Sequence, residues 1–205
     1  MDAFPETLVT PPSQGEARVS DLARLALAAR AGRGAEEERL WQAAHPRLVR
    51  IALALGVPAG DVPDLVQDAL FAAHRALRRF DPGAGSFEAW LGTILVRRAR
   101  NLARSRRRRR VFLDALRAIG LPVAPRSPQA LERLEARLVV ERLIGCLSVS
   151  QREVVALYEI GEMGAAESAR ILGLTPAGVR SIARDARRRL AEEARRPAGA
   201  GKERP

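Results

Sequence analysis

The stretch Ala169–Val179, ARILGLTPAGV, decides the fold of the C-terminal half of this 205-residue chain. Ala169 is small enough to let two helices cross closely, and Gly173 can take the left-handed conformation that ends the first of them. Thr175 can cap the second helix, and Pro176 suits the first turn of a helix. This spacing predicts a helix-turn-helix, a motif that places its second helix in the major groove of DNA.

The second helix of this motif has one apolar and one basic face. The side chains expected to face the core are Val179, Ile182, Ala183, Ala186 and Leu190. The side chains expected to face outward are Arg180, Ser181, Arg184, Arg187 and Arg188, with Asp185 as the discordant charge. This pattern is typical of a helix that reads duplex DNA, and a plain helical hairpin with a solvated basic face is the alternative.

The N-terminal half is also predicted to be helical. One helical pattern covers residues 20–55 and breaks at the glycines that flank Arg33. Another covers residues 61–80, with Asp61 as its cap and a full apolar stripe along one face. After the turn-forming residues 80–86, Ser86 can cap a further helix that runs from Phe87 into the arginine run.

Glycine and three prolines interrupt any helical pattern between residues 111 and 129, which indicates a linker between domains. Beyond the linker, helices are predicted at 131–147, 150–160, 165–172 and 176–194, and no strand pattern is present. We therefore predict an all-α protein with two small helical domains joined by a flexible linker. The predicted boundaries are a disordered tail at 1–18, a first domain at 19–110, the linker at 111–130, a second domain at 131–195 and a tail at 196–205.

The formal net charge of +11 comes almost wholly from arginine, because Lys202 is the only lysine. A surplus of this size favours a polyanionic partner, although a GC-rich genome also enriches arginine. No stretch approaches the roughly 18 uninterrupted apolar residues of a spanning helix, and the N-terminus lacks the pattern of a signal sequence. We expect a cytoplasmic protein that binds nucleic acid and does not insert into a membrane.

The residue pattern gives little support to an enzyme or a metal site. His45 and His74 stand alone without metal-ligand spacing, and no glycine-rich phosphate loop precedes a helix. Cys146 is the only cysteine and lies among apolar residues, which indicates a buried thiol rather than a redox site. We expect no catalytic residue, no metal and no cofactor.

The predicted helix after Ser86 carries an aromatic and cationic face. Its members recur at steps of three and four residues and are Trp90, Thr93, Arg97, Asn101 and Arg104. An aromatic ring beside hydrogen-bonding groups and cations suits splayed single-stranded bases, and Arg106 to Arg110 extend the positive charge toward phosphates. In the alternative interpretation, Trp90 belongs to the core and the arginines only keep the surface soluble.

The helix predicted at 61–80 has an acidic face opposite its apolar stripe, formed by Asp64, Gln67, Asp68 and Phe71. A protein partner explains such a face in a very basic chain better than DNA does. An ordinary solvated face is the alternative, since Asp64 also favours the N-terminus of its helix through the helix dipole.

Two blocks of sequence together resemble the extracytoplasmic-function (ECF, group IV) sigma factors of bacterial RNA polymerase, in the sigma-70 family. The first comprises DLVQD at 64–68, FDPGAGSFEAWL at 80–91 and the arginine-rich helix that follows. The second comprises LSVSQREVVAL at 147–157 and the helix-turn-helix. The blocks occur in the order and separation of the family, which is far more specific than either one alone.

The resemblance implies that this chain directs core polymerase to promoters and helps to open them. It implies that the acidic face, assisted by Asp61, docks on the clamp coiled coil of the largest polymerase subunit. The loop from Asp81 to Ser86 would capture an extruded base of the minus-ten element, and the Trp90 face would contact the opened strand, at a cost of a few kcal/mol of unstacking. Arg180, Ser181 and Arg184 would meet bases of the minus-thirty-five element, with Thr175, Arg187 and Arg188 on phosphates.

The family also implies an anti-sigma partner that holds the two domains together and masks the surfaces that face polymerase. Three positions depart from the usual pattern of the family: Pro63 replaces a common acid, Ser168 replaces a large aliphatic, and Met163 begins an unusual entry to the helix-turn-helix. A stand-alone DNA-binding regulator is the rival interpretation. In that case only the helix-turn-helix would bind DNA, and the N-terminal half would serve dimerisation or effector sensing.

Overall fold

Helices form the regular structure of the residues that the computed structural model describes, which are 21–32, 34–118 and 142–196. No strand occurs among these residues, and the helices form two small domains. The N-terminal domain contains α1 (Asp21–Arg30), α2 (Gly34–Ala54), α3 (Val62–Ala76) and α4 (Phe87–Ala118). The C-terminal domain contains a helical turn at 142–145, α5 (Val149–Val154), α6 (Ala165–Leu172) and α7 (Pro176–Ala194). The all-α prediction is confirmed.

Glycines in the left-handed region separate the first helices. Gly32, with φ +87°, follows α1, and Gly56, with φ +80°, follows α2. Both backbone conformations would strain a residue with a side chain. This explains why the helical pattern breaks at these two glycines. The chain then turns into α3, whose buried face includes Leu65, Val66 and Ala69 as the apolar stripe predicts.

Helix α4 is the longest element and extends further than the sequence pattern indicates. Ser86 caps it, since the Ser86 Oγ accepts a hydrogen bond from the Ala89 N–H at 3.1 Å. The helix continues through the arginine run to Ala118, whereas the apolar pattern ends near Val111. Arginine is a strong helix former, so the run remains helical without an apolar face to bury. The first residues of the predicted linker are therefore helical.

In the C-terminal domain, capping residues mark where the helices begin and end. Ser148 and Gln151 form a capping box at the start of α5, and the helix continues from Val155 to Ile160 as a π-helix. Gly173, with φ +72°, ends α6, and the Thr175 Oγ1 accepts a hydrogen bond from the Gly178 N–H at 3.1 Å. Helices α6 and α7 have the predicted bounds, and the turn that joins them has the predicted chemistry.

The thiol of Cys146 is half-buried rather than buried as predicted. Its S–H donates to the Leu143 carbonyl at 3.0 Å, and burial raises the pKa of the thiol above its ordinary value. The predicted tail at 1–18, most of the predicted linker and residues 131–141 lie outside the described residues, as do residues 197–205.

The two domains pack against each other. Ala156, Leu157 and Met163 of the C-terminal domain belong to the same buried cluster as the core of α1 to α4. Met163 is 2% exposed, and its Cε lies only 2.5 Å from the position that a Cβ on Gly92 would occupy. Because Gly92 has no side chain, Met163 can pack directly against the backbone of α4.

Candidate nucleic-acid interface

The acidic face of α3 is open to solvent. Asp64, Gln67 and Asp68 are exposed, and Phe71 keeps 59% of its surface accessible although it is a large apolar side chain. One oxygen of Asp68 lies 3.6 Å from a guanidinium nitrogen of Arg98; the Asp68 side chain is exposed, and that of Arg98 is partly exposed. An exposed pair of this kind contributes little stability, so the carboxylate of Asp68 stays available to a partner.

Asp61 stands at the N-cap position of α3, but the prediction that it caps the helix is wrong. Its side chain makes no capping hydrogen bond. It pairs instead with Arg106 of α4, which lies across from the start of α3. The competing cation attracts the carboxylate away from the backbone N–H groups, since a charged partner outweighs a neutral amide.

The loop between α3 and α4 contains a 3-10 turn at Pro82–Ala84 and is held at both ends by side-chain caps. Asp81 accepts a hydrogen bond from the Gly83 N–H at 2.9 Å, and Ser86 caps α4. Gly85 has φ +150°, a conformation that favours glycine. Residues 81–84 are exposed, which gives the predicted base-capturing loop a solvent-facing turn.

Trp90 lies at the end of an aromatic cluster. Its ring centroid is 5.6 Å from that of Phe80 and 5.4 Å from that of Phe87, and the Trp90 side chain is only partly buried. Trp90 therefore supports the core and also keeps an accessible surface. Packing against two neighbouring rings fixes its orientation before any ligand arrives.

The rest of the Trp90 face extends along α4 toward its charged end. Thr93 is partly buried, and its hydroxyl donates to the Ala89 carbonyl at 2.8 Å within the same helix. Arg97, Asn101 and Arg104 are exposed, and Arg104 donates to the Asn101 side chain. Four of the five predicted side chains thus offer exposed or accessible groups on one face, and Thr93 uses its donor locally.

The outward face of α7 divides into two halves. Arg180 and Arg184 are exposed, and no ion-pair partner lies within reach of either among the residues that the structure describes. Arg187 pairs with Glu159 at 2.5 Å, and Arg188 lies 3.3 Å from Asp185. Ser181 is exposed beside the two unpaired arginines. The N-terminal half of the face is therefore the part whose cations are free to contact DNA.

Sequence reasoning missed a set of polar residues that join the two domains. Arg100 makes two hydrogen bonds to Glu153, with distances of 2.6 and 2.8 Å, and the hydrogen bonding raises the pKa of its guanidinium. The Ser86 N–H donates to Glu167 at 3.0 Å, and Arg170 donates to the Ala84 carbonyl. These pairs join residues far apart in the chain, so no local pattern indicates them.

The described parts of the chain contain neither a cluster of metal-binding side chains nor a helix that could span a membrane. No group of three or more His, Cys, Asp or Glu side chains there could hold a metal ion. His74 instead lies 2.7 Å from Glu37 and contacts the edge of Trp41. No helix in the described ranges is both long and apolar enough to cross a membrane.

Two models of protein families match the chain. The model described as Sigma-70 region 2 matches residues 40–109, which include α3, the loop and most of α4. The model described as Sigma-70, region 4 matches residues 137–190, which include the helix-turn-helix. Each match covers one of the two basic surfaces, and the first also covers the acidic face.

Curated relatives and solved structures agree with these matches. The RNA polymerase sigma factor CnrH of Cupriavidus metallidurans is 36% identical over 150 residues, which cover 70% of this chain and 78% of CnrH. The ECF RNA polymerase sigma factor SigM of Mycobacterium tuberculosis is 33% identical over 160 residues, which cover 75% of this chain and 74% of SigM.

The fold is similar to that of CnrH in complex with the cytosolic domain of CnrY, with a TM-score of 0.62 and 30% identity over 82% of this chain and 94% of that one. It is also similar to that of the sigma factor RpoE in complex with the anti-sigma factor NepR from Bartonella quintana, with a TM-score of 0.56 and 26% identity over 77% and 95% of the two chains. The chain therefore belongs to the ECF sigma factors of the sigma-70 family, the non-enzymatic initiation factors that direct core RNA polymerase to specific promoters.

Proposed function

We propose that three surfaces of this sigma factor have separate binding roles in transcription initiation. The acidic face of α3 docks on the clamp coiled coil of core polymerase, the Trp90 face binds the opened minus-ten strand, and the N-terminal half of α7 reads the minus-thirty-five duplex. Residues 19–110 form the unit that docks and opens DNA, and residues 131–195 form the unit that reads the duplex. The single observation that carries the proposal is that all three surfaces are accessible together in one chain.

The docking role of α3 is supported by the combination of acids with an exposed aromatic ring. Phe71 exposes 59% of its surface one turn beyond Asp68, in a chain whose net charge is +11. Exposed apolar surface rimmed by charged groups is typical of protein interfaces. DNA would be repelled by Asp64 and Asp68, so a protein is the partner that fits.

The minus-ten role of α4 is supported by the Trp90 ring, whose orientation is fixed by its neighbours, and by the exposed Arg97 and Arg104 that follow it on the same face. Trp90 is held by Phe80 and Phe87 and retains an accessible surface on which a base can stack. Stacking of a base on an aromatic side chain contributes about 1–3 kcal/mol. Arg97 and Arg104 lie seven and fourteen residues beyond Trp90 on the same face of the helix, where a strand that leaves Trp90 would present its phosphates.

The minus-thirty-five role of α7 is supported by the start of the helix. The first turn is exposed and capped by Thr175, so its N-terminal residues can enter the major groove as in other helix-turn-helix proteins. Arg180 and Arg184 have no ion-pair partner in the described ranges, and their guanidinium groups can bind guanine in bidentate geometry. Arg187 and Arg188, which are paired with acids, are assigned to phosphates.

The remaining roles follow from the family. The protein acts in the cytoplasm, where RNA polymerase acts, and its mechanism consists of binding energy alone, with no catalytic residue, metal or cofactor. An anti-sigma factor is a further expected partner, because NepR occupies that role for the similar sigma factor RpoE.

The test is transcription by core polymerase reconstituted with the full chain. We expect Asp64→Arg combined with Asp68→Arg to abolish promoter-specific transcripts, because two like charges oppose docking, while the helical circular dichroism spectrum stays unchanged. The matched control is Asp21→Arg combined with Glu38→Arg, which reverses two exposed acids on α1 and α2. Full transcription by the α3 double variant would reject the docking assignment, and loss with the control would show a nonspecific effect of charge.

A further inference from the structure

One arginine of α7 is held by an acid from a different helical segment. Arg187 donates to Glu159, with 2.5 Å between the guanidinium nitrogen and the carboxylate oxygen. The two residues lie 28 positions apart in the chain. The Arg187 side chain keeps 41% of its surface accessible and that of Glu159 only 22%, so the carboxylate is the more enclosed half of the pair.

The neighbouring pair on α7 is of a different kind. Arg188 lies 3.3 Å from Asp185, and both belong to the same helix with side chains that are 68% and 49% exposed. Exposed pairs within one helix contribute little and leave both side chains free to move. The pair of Arg187 with Glu159 joins two segments instead, so it restricts where the Arg187 guanidinium can lie.

Arg187 lies on the edge of the surface that faces DNA. It follows Arg180 and Arg184 by seven and three residues, a spacing that places the three side chains along one side of the helix. It also follows the buried Ala183 and Ala186 by four residues and one residue, so it borders the core as well. With Arg180 and Arg184 on the bases, as the proposed function requires, Arg187 meets the phosphates at the rim of the major groove.

The π-helical turn that follows α5 determines where Glu159 lies. Val155 and Ile160, five residues apart, belong to one apolar cluster with Ala186 of α7. The same five-residue spacing places Glu159 in line with Val154, which also packs against α7. The wider turn therefore presents both Glu159 and Ile160 to α7. Such π-helical turns are rare and occur mostly at functional sites.

The end of the π-helix is fixed by its backbone. The Gly161 N–H donates to the Ala156 carbonyl, five residues earlier, at 2.9 Å. A Cβ on Gly161 would lie 2.6 Å from the Leu157 carbonyl oxygen, so a residue with a side chain does not fit there without a shift of the backbone. Glu162 follows with φ +51°, a strained conformation that persists only where surrounding contacts fix it. Glu159 is therefore carried by a segment with a defined geometry.

We propose that Glu159 is a positioning residue for minus-thirty-five recognition, an inference that rests on the proposed function of α7. Glu159 holds the Arg187 guanidinium in one orientation, in which it meets a phosphate only when Arg180 and Arg184 reach their bases. A guanidinium has several N–H donors, so the pair leaves donors for the phosphate. The carboxylate also offsets the charge of Arg187 and lowers the attraction to DNA of any sequence. Glu159 thus increases the preference for the correct sequence rather than the affinity for DNA in general.

Binding of the holoenzyme to two DNA fragments tests this role. One is a fragment that the holoenzyme selects, and the other is the same fragment with its minus-thirty-five element scrambled. Glu159→Gln removes the charge and keeps the size of the side chain. It should strengthen binding to the scrambled fragment by about two- to threefold, because the surface gains one positive charge. It should weaken binding to the selected fragment by about threefold, so that the ratio of the two affinities falls by about five- to tenfold.

Two further variants separate positioning from charge and from folding. The matched control, Asp185→Asn, removes the same charge from α7 itself and should strengthen binding to both fragments equally, with the ratio unchanged within about twofold. In a chain that already carries Arg187→Ala, Glu159→Gln should change the ratio by less than about twofold, because no guanidinium remains to be oriented.

A ratio that Glu159→Gln leaves unchanged would overturn the proposal, and so would a rise of both affinities like that of the Asp185 control. An equal effect of Glu159→Gln with and without Arg187 would also overturn it, because Glu159 would then act through the fold. A failure of the proposed function is seen separately: Arg180→Ala combined with Arg184→Ala would then leave the preference for the selected fragment intact.

Discussion

The two long basic helices, α4 and α7, differ in how their arginines are used. In α4, arginines that face the rest of the protein pair with acids of other elements: Arg98 with Asp68, Arg100 with Glu153 and Arg106 with Asp61. On the outward face, Arg97 and Arg104 are exposed and have no acidic partner among the described residues. In α4 the division between structural and free cations therefore runs along opposite faces of the helix.

In α7 the division runs along the length of the helix instead. Arg180 and Arg184, near its start, have no ion-pair partner among the described residues, whereas Arg187 and Arg188 pair with Glu159 and Asp185 further along. The number of arginines on a helix therefore does not identify a DNA contact. The proposed contacts lie where the described residues include no nearby acid and where the neighbouring chemistry fits DNA: an aromatic ring in α4 and a capped helix start in α7.

The largest effect that would test this comparison is expected at the start of α7. Arg180→Ala combined with Arg184→Ala should weaken promoter-specific binding of the holoenzyme by about 100-fold or more, because each bidentate contact with a base contributes about 1–3 kcal/mol. Arg187→Ala combined with Arg188→Ala should cost only about tenfold and should reduce the dependence of binding on salt. Binding measured at several salt concentrations checks both. Equal losses in the two double variants would show that pairing with acids does not separate the roles.

A smaller effect is expected within α4, where the two faces can be compared at adjacent residues. Arg97→Ala should reduce the opening of promoter DNA by about tenfold, as expected for the loss of one charge-assisted contact. Arg98→Ala should change opening by no more than about two- to threefold, because it removes only an exposed ion pair. Permanganate reactivity of unpaired thymines measures the opened fraction. A larger loss for Arg98→Ala than for Arg97→Ala would reverse the assignment of the faces.

The smallest effect concerns the helix that supports α7. Ser168 of α6 is fully buried, and its hydroxyl has no hydrogen-bond partner among the residues that the structure describes. Ser168→Ala should therefore raise the free energy of unfolding by about 1 kcal/mol, measured by urea denaturation, because an unsatisfied buried hydroxyl is costly. Ser181→Ala on the exposed face of α7 should change stability by no more than about 0.5 kcal/mol. A loss of stability in the Ser168 variant would mean that the hydroxyl forms a bond that matters to the fold.

Local chemistry in the sequence was sufficient to predict the helix-turn-helix. The bounds of α6 and α7, the left-handed Gly173 and the Thr175 cap all follow from residues within a few positions of each other. The Ser86 cap and the buried stripe of α3 were predictable for the same reason. Side-chain propensities act over one or two turns, and a single sequence reports them directly.

The relation between the two domains was not predictable from these patterns. Met163 was noted only as an unusual residue, and its fit against Gly92 depends on two positions 71 residues apart that share no periodicity. The same limit explains Asp61, which pairs with Arg106 of a different helix instead of capping α3. The acidic and basic faces were predictable as patterns, but which of their charges remain unpaired required the packing of the helices.

The central claim is that the chain reads two separated promoter elements, and only as part of the polymerase. Selection of DNA fragments from a random pool by the holoenzyme, and in parallel by the chain alone, tests it most directly. We predict that the holoenzyme selects fragments that carry two motifs at a fixed spacing. The chain alone should enrich neither the pair of motifs nor a fixed spacing between them. Enrichment of a single motif by the chain alone, unchanged by polymerase, would contradict the account and would favour a stand-alone regulator.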